Sequence, residues 1–529
     1  MTMLFNQRIH RGIYILGLAT ALCALPYSVY VISVGTIILV SNWLLEGGWS
    51  NKLLRFKTDK SVWVFGLVYA SVFFSFFYSS DIKSALSELR LWLPLLIIPL
   101  VVSTSPSLKR NEFALLIILF SIAVFITSIV SISIYLKNFS ILGQNVRYLS
   151  PFILHIRLAF MVNVSIFSLI YISVVEECFK NLIAKSTLLV LVVWFIIYLF
   201  ILQSLTGIVV FWVVSALLIV RWALISRKRN IKVRLIAFLT LFIVFSAIYI
   251  LLNVNRYFQR QQVNFQSLPK TTVNGNEYSQ DTTNKQYENG YLIGINICIP
   301  ELRTGWEKRS KLPFDGTDKA NQSLKMTLIR YLTSKGLTKD SIGLANLDSI
   351  DIKLIENSVS SVVYRKHKGG VYPRLYQTLW EIDSYKNQGL VGGSSVIQRY
   401  IYFKASWDII KQNFFFGVGT GDRRATLVQY FKTTKLNLPE KYWLNSHNQY
   451  LSVWISTGLF GLILFLGGII TPFICKNRFK YFICLVFLTI CLLTMLSVDL
   501  FEKHLSVSFF ALFYSIFFFG YQPQIDVSE

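Results

Sequence analysis

Apolar residues in this chain run in long blocks and do not alternate with polar ones. Blocks of spanning length fall at about 12–26, 29–45, 61–78, 85–103, 112–136, 151–173, 186–202, 206–224, 233–252, 447–474, 480–499 and 505–521. At about 1.5 Å per helical residue, each covers or nearly covers the roughly 30 Å of bilayer hydrocarbon. The pattern predicts an all-α polytopic membrane protein with about twelve transmembrane helices. One long polar segment separates the ninth helix from the tenth. The expected division is therefore 1–252 for nine helices, 253–446 for a partly helical extracytoplasmic loop domain, and 447–529 for three helices and a short tail. Arg8 and Arg11 followed by the apolar run Ile13 to Ala24 resemble a signal peptide. A second apolar run follows almost at once, which favours an uncleaved first helix.

Composition fits a membrane solvent. Hydrophobic residues make up 54% of the 529 and the mean hydropathy is +0.52, so a soluble fold would have nowhere to bury its apolar surface. The six cysteines form no CxxC pair and no disulfide framework, and are expected to be free.

The net charge of +25 first suggests nucleic acid, but its distribution argues against that. With a cytoplasmic N-terminus, the inner connections hold eighteen Lys and Arg residues, among them Arg11, Lys52, Arg55, Lys109, Arg229 and Lys476. The short outer ones hold four: Lys83, Lys137, Arg147 and Lys503. The positive-inside rule then orients the chain, and an even helix count returns the C-terminus to the cytoplasm. The segment 253–446 carries 27 basic and 16 acidic residues. Long translocated loops are exempt from the rule, and this excess suits an anionic partner such as phospholipid headgroups or a phosphate-bearing substrate. Within it, Asn274 to Asn289 reads as a flexible surface loop. Leu324–Ser334, Tyr372–Tyr385 and Val396–Gln412 read as amphipathic helices at the membrane interface.

Candidate chemistry gathers near the tenth helix, which opens His447-Asn448-Gln449-Tyr450 and continues to Gly458-Leu459-Phe460-Gly461. A histidine at the outer end of a spanning helix can act as base or hydrogen-bond donor near neutral pH, and the glycines would let the helix pack closely on a neighbour. Upstream, Arg399 leads a helix that ends in Phe416-Gly417-Val418-Gly419-Thr420-Gly421-Asp422. A guanidinium grips phosphate oxygens in pairs, and no Lys-Ser/Thr pair makes this turn a Walker loop. Ionisable residues inside spanning segments are costly and mark function by default. Here they are Glu88 and Arg90 on the fourth helix and His155 and Arg157 on the sixth, and Arg90 and Arg157 lie only about 8–9 Å below the outer surface. Glu381-Ile382-Asp383 is the nearest thing to a metal-binding carboxylate pair and reads as a solvated helix face, so no metal is expected.

Taken together, His-Asn, nine residues, Gly-x-x-Gly, preceded by the Arg399 helix and Gly-Val-Gly-x-Gly-Asp, resemble the O-antigen ligase and polymerase superfamily over about Ser395–Leu466. The resemblance implies a bacterial inner-membrane glycosyltransferase. It would move a glycan from undecaprenyl pyrophosphate to an acceptor at the periplasmic face, by inversion and without a metal or other cofactor. In ligases the acceptor is lipid A–core; in polymerases it is another lipid-linked repeat. Membrane lipids are expected partners and nucleic acid is not. The resemblance makes His447 and Arg399 catalytic; the charges inside spanning segments add Arg90, His155 and Arg157 as expected substrate contacts, with Asn448 and Arg147. Many members carry an arginine near the outer start of the eighth helix, where this chain reads Gln203-Ser204-Leu205-Thr206-Gly207; Arg157 or Arg147 is expected in its place. The ligase branch is the closer likeness. A transporter is the rival of another class; the sequence reads without inverted repeats and without helices interrupted near the midplane, which is expected to count against it.

Overall fold

The computed structural model describes residues 6–522 apart from 138–149, 176–177, 180, 227, 368–370, 390, 392–394 and 435–437. Each predicted apolar block is helical: Gln7–Ala24, Val29–Leu45, Lys60–Phe76, Ile82–Thr104, Arg110–Lys137, His155–Val175, Leu182–Ile201, Leu205–Ile225, Arg229–Phe258, Gln449–Cys475, Phe482–Met495 and His504–Gly520. Among the described residues, seven of these are long and apolar enough to cross a membrane. An eighth is added if Val29–Leu45 is counted with Trp49–Thr58, from which it bends by 111°. Lys60–Phe76, Phe482–Met495 and His504–Gly520 are apolar but shorter. The fourth block divides into Ile82–Trp92 and Pro94–Thr104, because Pro94 has no N–H to continue the ladder.

Connections expected on one side of the membrane bond to one another. On the basic side, Arg11 donates to the carbonyls of Pro106 and Ser107 at 2.8 Å and pairs with Glu112. Lys476 meets Asp59 at 2.5 Å, and Arg478 donates to the Phe518 carbonyl at 3.0 Å. On the other side, the segments around residues 80, 422, 447 and 499 are joined in the same way, as described below. Helices alternating in direction require this sorting.

The chain forms two compact units, 1–131 with 150–217 and 398–529, and 132–149 with 218–397. The division differs from the expected one: residues 398–446, read as part of the loop domain, pack with the membrane helices. The second unit holds a small domain built on Trp306, Phe314, Leu328, Leu332 and Ile355, all buried. Leu324–Ser334 is a helix of that core, with eight of its side chains buried, and is not interfacial. The segment Asn274 to Asn289 is pinned where a flexible loop was expected. Thr271 bridges Glu277, Ser279 bridges Ile297, and Tyr287–Glu288 pairs with Tyr291–Leu292. Glu288 is wholly buried, accepting from the Tyr376 hydroxyl at 2.7 Å and pairing with Arg330 at 2.8 Å. Glu381 and Asp383 are buried too, against the solvated-face reading. Asp383 takes Arg260 at 2.9 and 3.0 Å, and Glu381 accepts from the Val396 amide at 3.3 Å. None of the six cysteines is in a disulfide.

A basic cavity beside a spliced helix as candidate functional site

The helix Gln449–Cys475 is broken at Gly458, whose backbone (φ 67°, ψ −172°) suits only glycine. A break at membrane depth is tolerable only if other groups take up the freed backbone partners. Residues 414–419 do this from both sides. The Val418 and Gly419 amides donate to the Ile455 and Ser456 carbonyls at 2.8 and 3.0 Å, and the Leu459 amide donates to the Phe414 carbonyl at 2.9 Å. A Cβ on Gly458 would lie 2.1 Å from the Phe415 carbonyl oxygen, and one on Gly417 (φ 72°) would lie 2.6 Å from the Gly458 nitrogen. The expected role of Gly458 in close helix packing is thus corrected. It opens the helix so that the glycine-rich turn can be spliced in. A Cβ on Gly461 would meet Thr457 of its own helix.

The rest of the turn docks on the loop before Ile82–Trp92. The Gly421 amide donates to the Ser79 hydroxyl at 3.0 Å, and the Asp422 carboxylate accepts from the Ser80 and Asp81 amides at 2.6 and 3.0 Å. A Cβ on Gly421 would come within 2.1 Å of the Asp81 carbonyl oxygen. Fixed at both ends, the turn launches the helix Arg423–Thr433 and so delivers Arg423 and Arg424 to one place. Arg423 is buried and pairs with Glu88 at 3.1 Å. Burial works against its charge, but Glu88, Asp499 and Glu502 outweigh that and hold the guanidinium more firmly protonated than usual.

Here lies a cavity of about 840 Å³, walled by Glu88, Arg90, Arg423, Arg424, Asn445, His447, Glu502, Lys503 and His504 with Ser87, Leu91 and Leu444. Its four cations, Arg90, Arg423, Arg424 and Lys503, face two carboxylates, Glu88 and Glu502. Two positive charges remain in excess. Burial, reinforced by Asp499 and Glu88 and opposed by Arg423 and Lys503, pushes the Glu502 carboxyl above its ordinary value. Among the described residues, Arg90, Arg424 and Lys503 have no ion pair.

His447 sits in a left-handed conformation (φ 52°), which costs a non-glycine residue on the order of 1–3 kcal/mol. Asp499 holds it there. One carboxylate oxygen accepts the His447 amide at 2.9 Å, and the other accepts the hydroxyls of Ser446 and Ser452 at 3.1 and 2.7 Å. Asp499 therefore fixes the backbone of His447, which lines the cavity. Burial drives the imidazole below its ordinary value, with Asp499 opposing and Arg399 adding to the effect. The shift favours the neutral ring, the form that can accept a proton. The Tyr402 ring lies 5.3 Å from it and is anchored by a 2.6 Å hydrogen bond to the Tyr442 carbonyl.

The expected site residues come together in part. His447 and Arg90 line the cavity. Arg399 is not on its wall but precedes Tyr402 by three residues on the helix Ser395–Gln412, and its charge reaches His447. Arg157 carries a buried Nε with no hydrogen-bond partner among the described residues and lies within the field of Glu502. His155 begins the same helix and is outside the cavity wall. Asn448 has a different task from the expected substrate contact: its side chain caps Gln449–Cys475 through the Leu451 amide at 3.1 Å and donates to the Leu496 carbonyl at 3.0 Å. Arg147 lies outside the described residues. Gln203–Gly207, where an arginine is absent, is a packing site, with a Gly207 Cβ only 2.6 Å from that of Ala159. The sequence reading missed Arg423, Arg424 and Glu502. The available signal was an Arg-Arg pair directly after a turn with three glycines.

Residues 370–466 match the family described as O-Antigen ligase. No curated protein matches the chain. The matched stretch contains both halves of the splice, Arg399, both cavity arginines of the turn, and His447. It bears out the resemblance to the O-antigen ligase and polymerase superfamily, a glycosyl-transferring family.

Proposed function

We propose that this protein is a twelve-span inner-membrane glycosyltransferase of the O-antigen ligase type. It moves a glycan from undecaprenyl pyrophosphate to lipid A–core at the periplasmic face, with both termini in the cytoplasm. The observation that carries this reading is a single concave site holding unpaired cations together with a neutral histidine. A diphosphate donor needs the first and a hydroxyl acceptor needs the second.

In this reading Arg424, with Arg399 and the Arg157 field behind it, holds the diphosphate and stabilises the charge that grows on it as the sugar–oxygen bond breaks. His447 takes the proton from the acceptor hydroxyl as that oxygen attacks the anomeric carbon from the opposite face, giving inversion. Asp499 keeps the imidazole aimed into the cavity by fixing its backbone. No metal is needed, because the guanidinium groups supply the positive charge.

The test is transfer in vitro by the purified protein from a lipid-linked glycan to a lipid A–core acceptor, in the presence of EDTA. His447→Ala and Arg424→Ala should each lose most of the rate while binding detergent and migrating as wild type does. In cells lacking the protein, long glycan should remain on the carrier lipid; single repeats attached to core would identify a polymerase instead.

A further inference from the structure

Resting on that reading, we infer that the cavity has a second anion subsite, formed by Arg90, Lys503 and His504, which takes a phosphate or carboxylate carried by the acceptor.

The cavity's cations fall into two groups. His447 lies in the fields of Arg399 and Asp499, and Tyr402, which packs on His447, lies in the field of Arg424. Arg399, Arg424 and His447 thus form one neighbourhood. The helix Ile82–Trp92, which carries Arg90, instead packs on the helix that begins at His504, Lys503 is the chain neighbour of His504, and the charge of Arg90 reaches His504. These three form another. The links between the two groups run through carboxylates: Asn445 accepts from Arg424 at 3.3 Å and donates to Glu502, which directly precedes Lys503, and Glu88, paired with Arg423, lies two residues before Arg90. A diphosphate laid across both groups would have to pass the two carboxylates, which repel it. Sugar hydroxyls would not be repelled, since they donate to carboxylates.

The division therefore fits a donor diphosphate at the His447 end, sugars over the carboxylates, and an anionic substituent at the Arg90 end. Arg90 and Lys503 have no ion pair among the described residues. The cavity, at about 840 Å³, approaches the upper size of small-molecule sites, which leaves room for more than a diphosphate. Guanidinium and ammonium groups together favour phosphate or carboxylate over neutral sugar through charge-assisted hydrogen bonds.

The experiment uses the full-length protein with one lipid-linked donor and three forms of lipid A–core: untreated, dephosphorylated, and with carboxylates amidated. Wild type should show an acceptor KM about tenfold higher for the form that has lost the recognised anion, which also identifies that anion. Arg90→Gln/Lys503→Gln should raise the KM for untreated acceptor about tenfold and abolish the difference between forms, with the donor KM unchanged. Lys503→Gln alone, at an exposed position, gives the same readout at smaller size if the double variant does not fold. A rise in donor KM, or equal treatment of all three acceptors by wild type, overturns the inference. Absence of any transfer by wild type would instead defeat the functional reading beneath it.

Discussion

Gly458→Ala is the sharpest perturbation available to test the splice. The added Cβ would sit 2.1 Å from the Phe415 carbonyl oxygen and 2.4 Å from the Phe416 nitrogen. Neither is a flexible side-chain end, so backbone must move. The residue would also hold a conformation essentially confined to glycine, at about 1–3 kcal/mol. Withdrawing residues 414–419 would break the three short hydrogen bonds across the gap, each contributing about 1 kcal/mol net and more where the freed group cannot reach water. The total is roughly 4–6 kcal/mol, enough to expel the turn. Arg423 and Arg424 would go with it. The assay is thermal unfolding of the purified protein together with glycan transfer, with Gly467→Ala as the control, because a Cβ there meets nothing within 4 Å. Gly458→Ala should unfold several degrees lower and lose transfer, while the control behaves as wild type. A Gly458→Ala protein with wild-type stability and rate would refute the splice as described.

Other outcomes follow from the site and from the small domain built on Trp306. Transfer should fall as pH drops through the His447 pKa, which lies below the ordinary histidine value; Asp499→Asn should move that acid limb to lower pH, and Arg399→Gln to higher pH, in kcat/KM profiles. Arg423→Met should destabilise the protein by about 3–5 kcal/mol by leaving Glu88 unpaired, and adding Glu88→Leu should recover most of that in thermal melts. Trp306→Ala should cost the small domain around it about 3–5 kcal/mol, seen as faster limited proteolysis within 259–366, with the apolar helices still protected.

Much of the fold was legible in the sequence because the bilayer imposes a simple rule. A block of about twenty apolar residues must satisfy its backbone internally, so it becomes a helix. The rule says nothing about how polar segments pack. Leu324–Ser334 was recognised as a helix but misplaced, because an amphipathic face suits a domain core as well as a membrane surface. Asp383 read as solvated because its partner Arg260 lies 123 residues away in the chain, and Glu381 because burial by the fold leaves no mark in its local sequence. At the site, His447 stood out by residue type and position. Arg423 did not, since what makes it a wall of the cavity is a splice joining two motifs some forty residues apart. Gly458 shows the limit most clearly: its presence was noted, but whether a glycine closes a helix contact or opens a helix depends on what approaches it.

The helix Arg229–Phe258 differs in kind from its neighbours. None of its apolar window is covered by the rest of the chain, whereas 83% of the window in His155–Val175 is. The first helix is constrained by solvent and the second by shape. Across related sequences Arg229–Phe258 should drift freely among Leu, Ile, Val and Phe while rejecting charge. His155–Val175 should keep its residues one by one, each matched to a particular neighbour.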